Sequence, residues 1–75
     1  MPMMKILDAS GDTVISWTPT DASSLRHARN VFCQLHAQRR LAFAVQPGSR
    51  NGEQITQFEQ AGDRDIVWVR PGQGG

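Results

Sequence analysis

The most regular pattern in this chain is a stripe of apolar residues in its first half. Leu25, Ala28, Phe32 and Leu35 follow one another at spacings of three, four and three residues, with mostly polar residues between them. That spacing places the four side chains on one side of an α-helix, while the polar positions face away from it. The pattern therefore predicts one amphipathic helix over residues 21–39 or 21–40.

Signals at both ends of this helix agree with the stripe. Thr20 or Asp21 can cap the first turn, because their side-chain oxygens accept hydrogen bonds from backbone N–H groups two or three residues later. Ala22 extends the apolar stripe backwards. Arg39 and Arg40 follow at the end, where the helix dipole favours positive charge.

Shorter apolar segments on either side of the helix predict strands. Residues 4–9 and 13–17 are rich in apolar and β-branched residues, and the Ser-Gly-Asp sequence between them favours a tight turn, so they predict a β-hairpin. Residues 41–45, LAFAV, alternate between large and small side chains, which predicts a strand with one face on the core. Residues 65–70 are rich in apolar residues and predict a central strand buried on both faces.

The segment between the last two apolar strands is less regular. Residues 47–52 predict a loop, residues 53–59 a polar strand that turns Ile55 or Phe58 inward, and residues 61–64 another turn. The element order is then strand, strand, helix, strand, strand, strand. This order predicts an α+β domain with the helix across one face of the sheet. If the first and last strands lie side by side at the centre, the carboxyl end of the last strand leaves the domain directly.

Composition narrows the class of protein. The chain has 75 residues, of which 39% are hydrophobic, so we expect one small domain over residues 1–70, a flexible tail over residues 71–75, and no deep pocket. A self-contained enzyme with a cofactor is therefore not expected. The formal net charge of +1 argues against a strong field for nucleic acid. Because Cys33 is the only cysteine and no apolar run reaches the ~20 residues that span a bilayer, we expect a cytoplasmic protein without a disulfide.

The second half of the chain carries a resemblance to a known family. Residues 38–75 contain an apolar strand after the helix, a glycine-containing loop, a short turn region, an apolar last strand that ends in Arg70, and two final glycines. This order of parts resembles the ubiquitin-like β-grasp family of eukaryotic modifiers and prokaryotic sulfur carriers. Gly74 and Gly75 match the functional motif of that family. Pro71 and the Gly-Gln that follows depart from the short run of Leu, Arg and Gly in the better-known modifiers.

The resemblance implies a function and a partner. The chain would be a protein modifier or sulfur carrier whose Gly75 carboxylate is activated by an adenylating enzyme, with Arg70 and Pro71 next to the contact. The product, a thiocarboxylate or an isopeptide conjugate, stays open. A different class is also open: a non-covalent interaction module, such as a bacterial or phage accessory protein, in which the tail is idle because small residues are common at chain ends.

A glycine pair suits activation for a physical reason. An enzyme that activates a terminal carboxylate draws it through a narrow channel to a nucleotide. Residues without a Cβ let both walls of that channel close on the peptide and adopt the φ values needed to turn there. Pro71 has no backbone N–H, so it ends a sheet ladder and stiffens the exit of the tail.

Three helix residues invite a metal or nucleophile interpretation, which the pattern does not favour. Cys33 and His36 are three residues apart and can share a face, but His27 lies six residues before Cys33 and points elsewhere. A zinc site needs three or four ligands, and a nucleophilic cysteine needs a base. The helix also contains basic residues, which favour a solvated face over phosphate contacts because the net charge is small. These basic residues are Arg26, Arg29, Arg39 and Arg40.

The last expectation concerns the sheet face that a single helix cannot cover. Val67, Trp68 and Val69 cannot all point the same way, so we expect an apolar patch on the open face that binds another protein or a second copy of this chain. Trp17 and Trp68 are candidates for the core. Either one would be a partner-binding residue if it lay on the open face instead.

Overall fold

The structure is a computed structural model that describes residues 2–7, 11–46, 48 and 52–70. Over these residues the chain forms strands and one α-helix in the predicted order, and a 3₁₀-helix, which the sequence did not predict, precedes the last strand. Their bounds are β1 Met3–Ile6, β2 Thr13–Ser16, α1 Ala22–Ala37, β3 Leu41–Val45, β4 Gly52–Ile55, the 3₁₀-helix Phe58–Ala61 and β5 Asp65–Val69. The chain is a small α+β domain with one helix packed on a mixed sheet.

The five strands form one sheet in the order β2-β1-β5-β3-β4. β1 and β5 pair in parallel, and the other neighbours are antiparallel. The first and last strands therefore lie side by side, and β5 is at the centre of the sheet, as its apolar sequence predicts. The predicted hairpin is present as β1 and β2, but β1 ends at Ile6, and residues 8–10 of the prediction lie outside the described residues.

Asp21, not Thr20, is the residue that caps α1. Its side chain accepts a hydrogen bond from the backbone N–H of Ser23 at 3.2 Å. Three residues of the predicted stripe, Ala28, Phe32 and Leu35, are buried. The predicted extension to Ala22 is wrong, because that residue is exposed. The predicted extension goes back three residues at a time, from Ala28 to Leu25 and then to Ala22. Three residues are less than the 3.6 residues of a full helical turn, so the two steps together place Ala22 about 110° around the helix from the centre of the stripe.

The end of α1 has a left-handed residue where glycine is usual. Arg39 has φ 64°, its N–H donates to the carbonyl of His36 at 2.9 Å, and the N–H of Arg40 donates to the carbonyl of Leu35 at 3.2 Å. These two bonds form a Schellman motif. The left-handed backbone is unfavourable for any residue with a Cβ, so Arg39 is held there by the surrounding structure.

Replacing Arg39 with glycine is therefore expected to stabilise the protein by about 0.5–1 kcal/mol. The measurement is the midpoint of urea unfolding followed by far-UV circular dichroism. Arg39→Ala is the matched control, because it removes the same charge and keeps the Cβ. If both variants changed stability equally, charge and not backbone conformation would be the cause.

The core lies between α1 and one face of the sheet, and β3 contributes its small side chains to it. Ala42 and Ala44 are 2% and 1% exposed, whereas Leu41 is 37% exposed on the opposite face. Trp68 of β5 lies directly across from Ala42, and its ring centre is 4.8 Å from that of Phe32 in α1. The two large rings leave room for only a small side chain on the neighbouring strand.

The segment after β3 differs from its prediction. The strand ends at Ile55, and Phe58 begins a 3₁₀-helix, so the predicted strand over residues 53–59 is wrong in its second half. Gln60 explains the change of direction, because its side-chain oxygen accepts hydrogen bonds from the N–H groups of Thr56 and Gln57 at 2.8 and 3.0 Å. Both Ile55 and Phe58 are buried.

Candidate functional site

The predicted tail begins just after the carboxyl end of β5. Val69 is the last residue of the strand and lies across from Leu41 of β3. On the other side, the N–H of Leu7 donates to the carbonyl of Trp68 at 3.2 Å. Arg70 follows outside the strand and is exposed. The tail residues on which the sequence hypothesis depends, Pro71, Gly74 and Gly75, lie outside the described residues.

Both tryptophans belong to the core. Trp17 and Trp68 are 1% and 0% exposed. Trp17 packs against Phe58 with ring centres 5.2 Å apart, and the indole N–H of Trp68 has no hydrogen-bond acceptor among the residues that the structure describes. The interpretation of either tryptophan as an exposed partner contact is therefore wrong. The reason is that Trp68 alternates with Val67 and Val69 and takes the helix side of β5.

The open face of the sheet carries an apolar patch, as the sequence predicts. Val67 at its centre lies between Lys5 of β1 and Phe43 of β3. Val67 and Phe43 are half-buried, so the expected burial of β5 on both faces is complete only on the helix side. The most exposed large apolar side chains of the described residues are Met3, Val14 and Leu41, at 40%, 54% and 37%.

A groove of about 270 Å³ lies between the second half of α1 and the segment that follows β4. Its lining includes Phe32, Cys33, His36, Gln57, Phe58 and Glu59. Its volume is below the range of ordinary small-molecule sites, which begins at about 300 Å³. Sequence reasoning missed this groove, because the 3₁₀-helix that forms one wall depends on the side chain of Gln60 and not on a local apolar pattern.

The structure does not assemble a metal site from the helix residues. Cys33 and His36 line the groove together, whereas His27 is exposed and is not part of its lining. No group of three or more His, Cys, Asp and Glu residues that could hold a metal ion occurs among the described residues. His36 lies parallel to the ring of Phe32 at 6.3 Å, a contact that is part of the packing of the helix.

The basic residues of α1 are partly balanced by acids from the sheet side. Arg29 forms an ion pair with Glu59 at 3.2 Å, with both side chains more than half exposed. Such an exposed pair contributes little to stability, about 0–1 kcal/mol. It does reduce the positive charge along the helix. No helix in the described part of the chain has the length and apolar character needed to cross a bilayer.

Comparison with known proteins gave no match to this chain, whether with family models, curated proteins or solved structures.

Proposed function

We propose that this chain is a β-grasp carrier or modifier protein whose Gly75 carboxylate is activated by an adenylating partner enzyme. The sheet order, the parallel pairing of β1 with β5, and the helix that connects β2 to β3 support a β-grasp arrangement. The observation that carries the functional proposal is the position of β5. This central strand ends at Val69, and the exposed Arg70 begins the segment that leads to Gly74 and Gly75.

The chemistry that we propose takes place in the partner and consumes ATP. A carboxylate oxygen of Gly75 attacks the α-phosphorus of ATP, a new P–O bond forms, and the bond to the departing pyrophosphate breaks. The resulting acyl adenylate is an electrophile. A sulfide, thiol or amine then attacks the carbonyl carbon of Gly75, and AMP leaves with the bonding electron pair. The carrier itself supplies only the carboxylate.

The partner must cover the end of the sheet from which the tail departs. Residues 71–75 span at most about 16–18 Å when extended, so the nucleotide site of the partner has to come that close to Arg70. Leu41, which lies across from Val69, is the nearest exposed apolar residue of the open face. We therefore propose that the same partner docks on the open face around Leu41.

The test is ATP-dependent modification of the tail. The tagged protein is expressed in its native cells and purified, and its C-terminal peptide is analysed by mass spectrometry to establish that Gly75 is terminal. The protein is then incubated with extract of those cells, with and without ATP. We expect either replacement of one oxygen by sulfur at Gly75 or an isopeptide bond from Gly75 to a lysine.

The matched control for this test is another glycine of the same segment. Deletion of Gly74 and Gly75 should abolish every ATP-dependent product, whereas Gly72→Ala should keep most of it. If neither the sulfur exchange nor the conjugate forms with the wild-type protein, or if the deletion leaves the products unchanged, the proposed function is wrong.

A second candidate, the non-covalent interaction module, is favoured by the apolar open face. In that case Leu41→Lys should abolish binding to whatever protein the wild type retains, and deletion of Gly74 and Gly75 should have no effect on it. The carrier predicts a different pattern in the same two variants: the deletion abolishes the products, and Leu41→Lys slows their formation at limiting concentration.

A further inference from the structure

The edge strand β2 lacks two of the devices that normally prevent an edge from pairing with another chain. Its four residues include no charged residue and no proline, which are the usual protections of an exposed edge. Thr13, Val14 and Ser16 are exposed, and Ile15 is half-buried. Val14 is the most exposed of the large apolar side chains that the structure describes.

The backbone of β2 presents hydrogen-bonding groups at this edge that no other described residue pairs. The N–H of Trp17 donates to the carbonyl of Pro2 at 3.2 Å, so the backbone groups of Trp17 face β1. The backbone N–H and C=O groups of successive strand residues point alternately to the two sides of the strand, so those of Ile15 and Thr13 face β1 as well. The N–H and C=O groups of Val14 and Ser16 therefore point away from the sheet.

The opposite edge of the sheet is better protected. β4 contains Glu53, which accepts a hydrogen bond from Arg64 at 3.0 Å. Beyond the end of β4, the N–H groups of Thr56 and Gln57 are satisfied by the side chain of Gln60. Pairing at β2 would therefore join two chains without continuing into a longer assembly.

We propose that β2 pairs in an antiparallel manner with β2 of a second copy of this chain, about a two-fold axis at Val14. In this register Val14 faces Val14 of the second copy, and Ser16 faces Asp12 of the second copy. Both are hydrogen-bonded pairs that use the outward groups. The register brings together the most exposed apolar side chains, and it places Asp12 opposite an uncharged residue. An antiparallel pair with such a two-fold axis is self-complementary, which a strand from another protein is not by default.

The dimer is expected to be weak and concentration-dependent. One four-residue strand is much smaller than the roughly 20–30 residues that each partner contributes to a standard interface. We therefore expect a mostly monomeric protein at about 10 µM and a substantial dimer fraction at about 1 mM. Sedimentation equilibrium over that range measures both.

The decisive variant removes one outward donor and leaves the sheet intact. Val14→Pro deletes an N–H that makes no bond to β1, so the β1 ladder keeps all its hydrogen bonds. The variant should remain monomeric at every concentration, whereas Val14→Thr, which keeps the N–H and the branched shape, should still dimerise. Near-UV circular dichroism of the two buried tryptophans reports whether each variant is folded.

Two further variants make the result independent of how well Val14→Pro folds. Val14→Lys places two like charges opposite each other and should also be monomeric. In a Cys33→Ser background, Val14→Cys should form an intermolecular disulfide under mild oxidation, because the paired Cα atoms would lie about 5.5 Å apart. Leu41→Cys in the same background is the control on the open face.

Three results would overturn the proposal. One is a wild-type protein that stays monomeric up to about 1 mM. Another is a dimer that still forms in the Val14→Lys variant but not in the Leu41→Lys variant. That result would assign the contact to the open face. The third is equal crosslinking by the cysteines at positions 14 and 41. None of these results bears on the activation of Gly75, so the two proposals can fail separately.

Discussion

Replacing Phe32 with alanine is expected to destabilise the protein by about 3–5 kcal/mol. Phe32 is 2% exposed, and its ring contacts those of Phe58 and Trp68 at 5.9 and 4.8 Å. Deleting a buried phenylalanine costs about 3–5 kcal/mol. The whole stability expected for 75 residues is about 4–11 kcal/mol, so the loss is a large fraction of it and lowers the melting temperature strongly. Thermal unfolding, followed by far-UV and near-UV circular dichroism, measures the effect.

Phe43→Ala is the matched control for this prediction. Phe43 lies on the open face and is only half-buried, so the same deletion should cost about 1 kcal/mol and lower the melting temperature by several degrees. A loss for Phe43→Ala equal to or greater than that for Phe32→Ala would show that the core lies on the other side of the sheet.

Replacing Ala44 with leucine is expected to destabilise the protein by about 1–3 kcal/mol, because it adds three carbon atoms to a filled interior. Ala44 is 1% exposed and lies across from Ile66, which is fully buried. The free energy of unfolding in urea is the measurement.

Val45→Leu, one position further along β3, is the control for overpacking. Its side chain lies on the half-exposed open face, where an added methylene should change stability by no more than about 0.5 kcal/mol. If Ala44→Leu left stability unchanged and Val45→Leu lowered it, the assignment of Ala44 to the core and of Val45 to the open face would be wrong.

The open face and the β2 edge are the two surfaces through which we propose that this domain contacts other proteins. Both proposals use residues that the core does not need: Leu41 near the root of the tail, and Val14 at the far edge of the sheet. Three strands separate β2 from β4, so a second copy at the β2 edge would leave the β3 side of the open face accessible. A dimeric carrier could therefore still present its tail to an activating enzyme.

The sequence by itself determined the elements that depend on local periodicity and turn chemistry. The apolar spacing of Ala28, Phe32 and Leu35 predicts α1 because three and four residues nearly complete one helical turn. The apolar character of β5 predicts a central strand, since a strand with neighbours on both sides is the one that loses most contact with water. These features act within a few residues, so no knowledge of distant contacts is needed to predict them.

The tertiary structure alone decided which face of each strand is inside and how the chain continues after β4. The alternation in LAFAV is equally consistent with either face inward, and Trp68 across the sheet selects the small residues because two large rings already fill the space above it. Likewise, the 3₁₀-helix forms where the side chain of Gln60 satisfies the backbone donors of two consecutive residues, of which a longer edge strand would have paired only one. Volume and hydrogen-bond satisfaction are properties of neighbours in space, and a linear pattern of polar and apolar residues does not contain them.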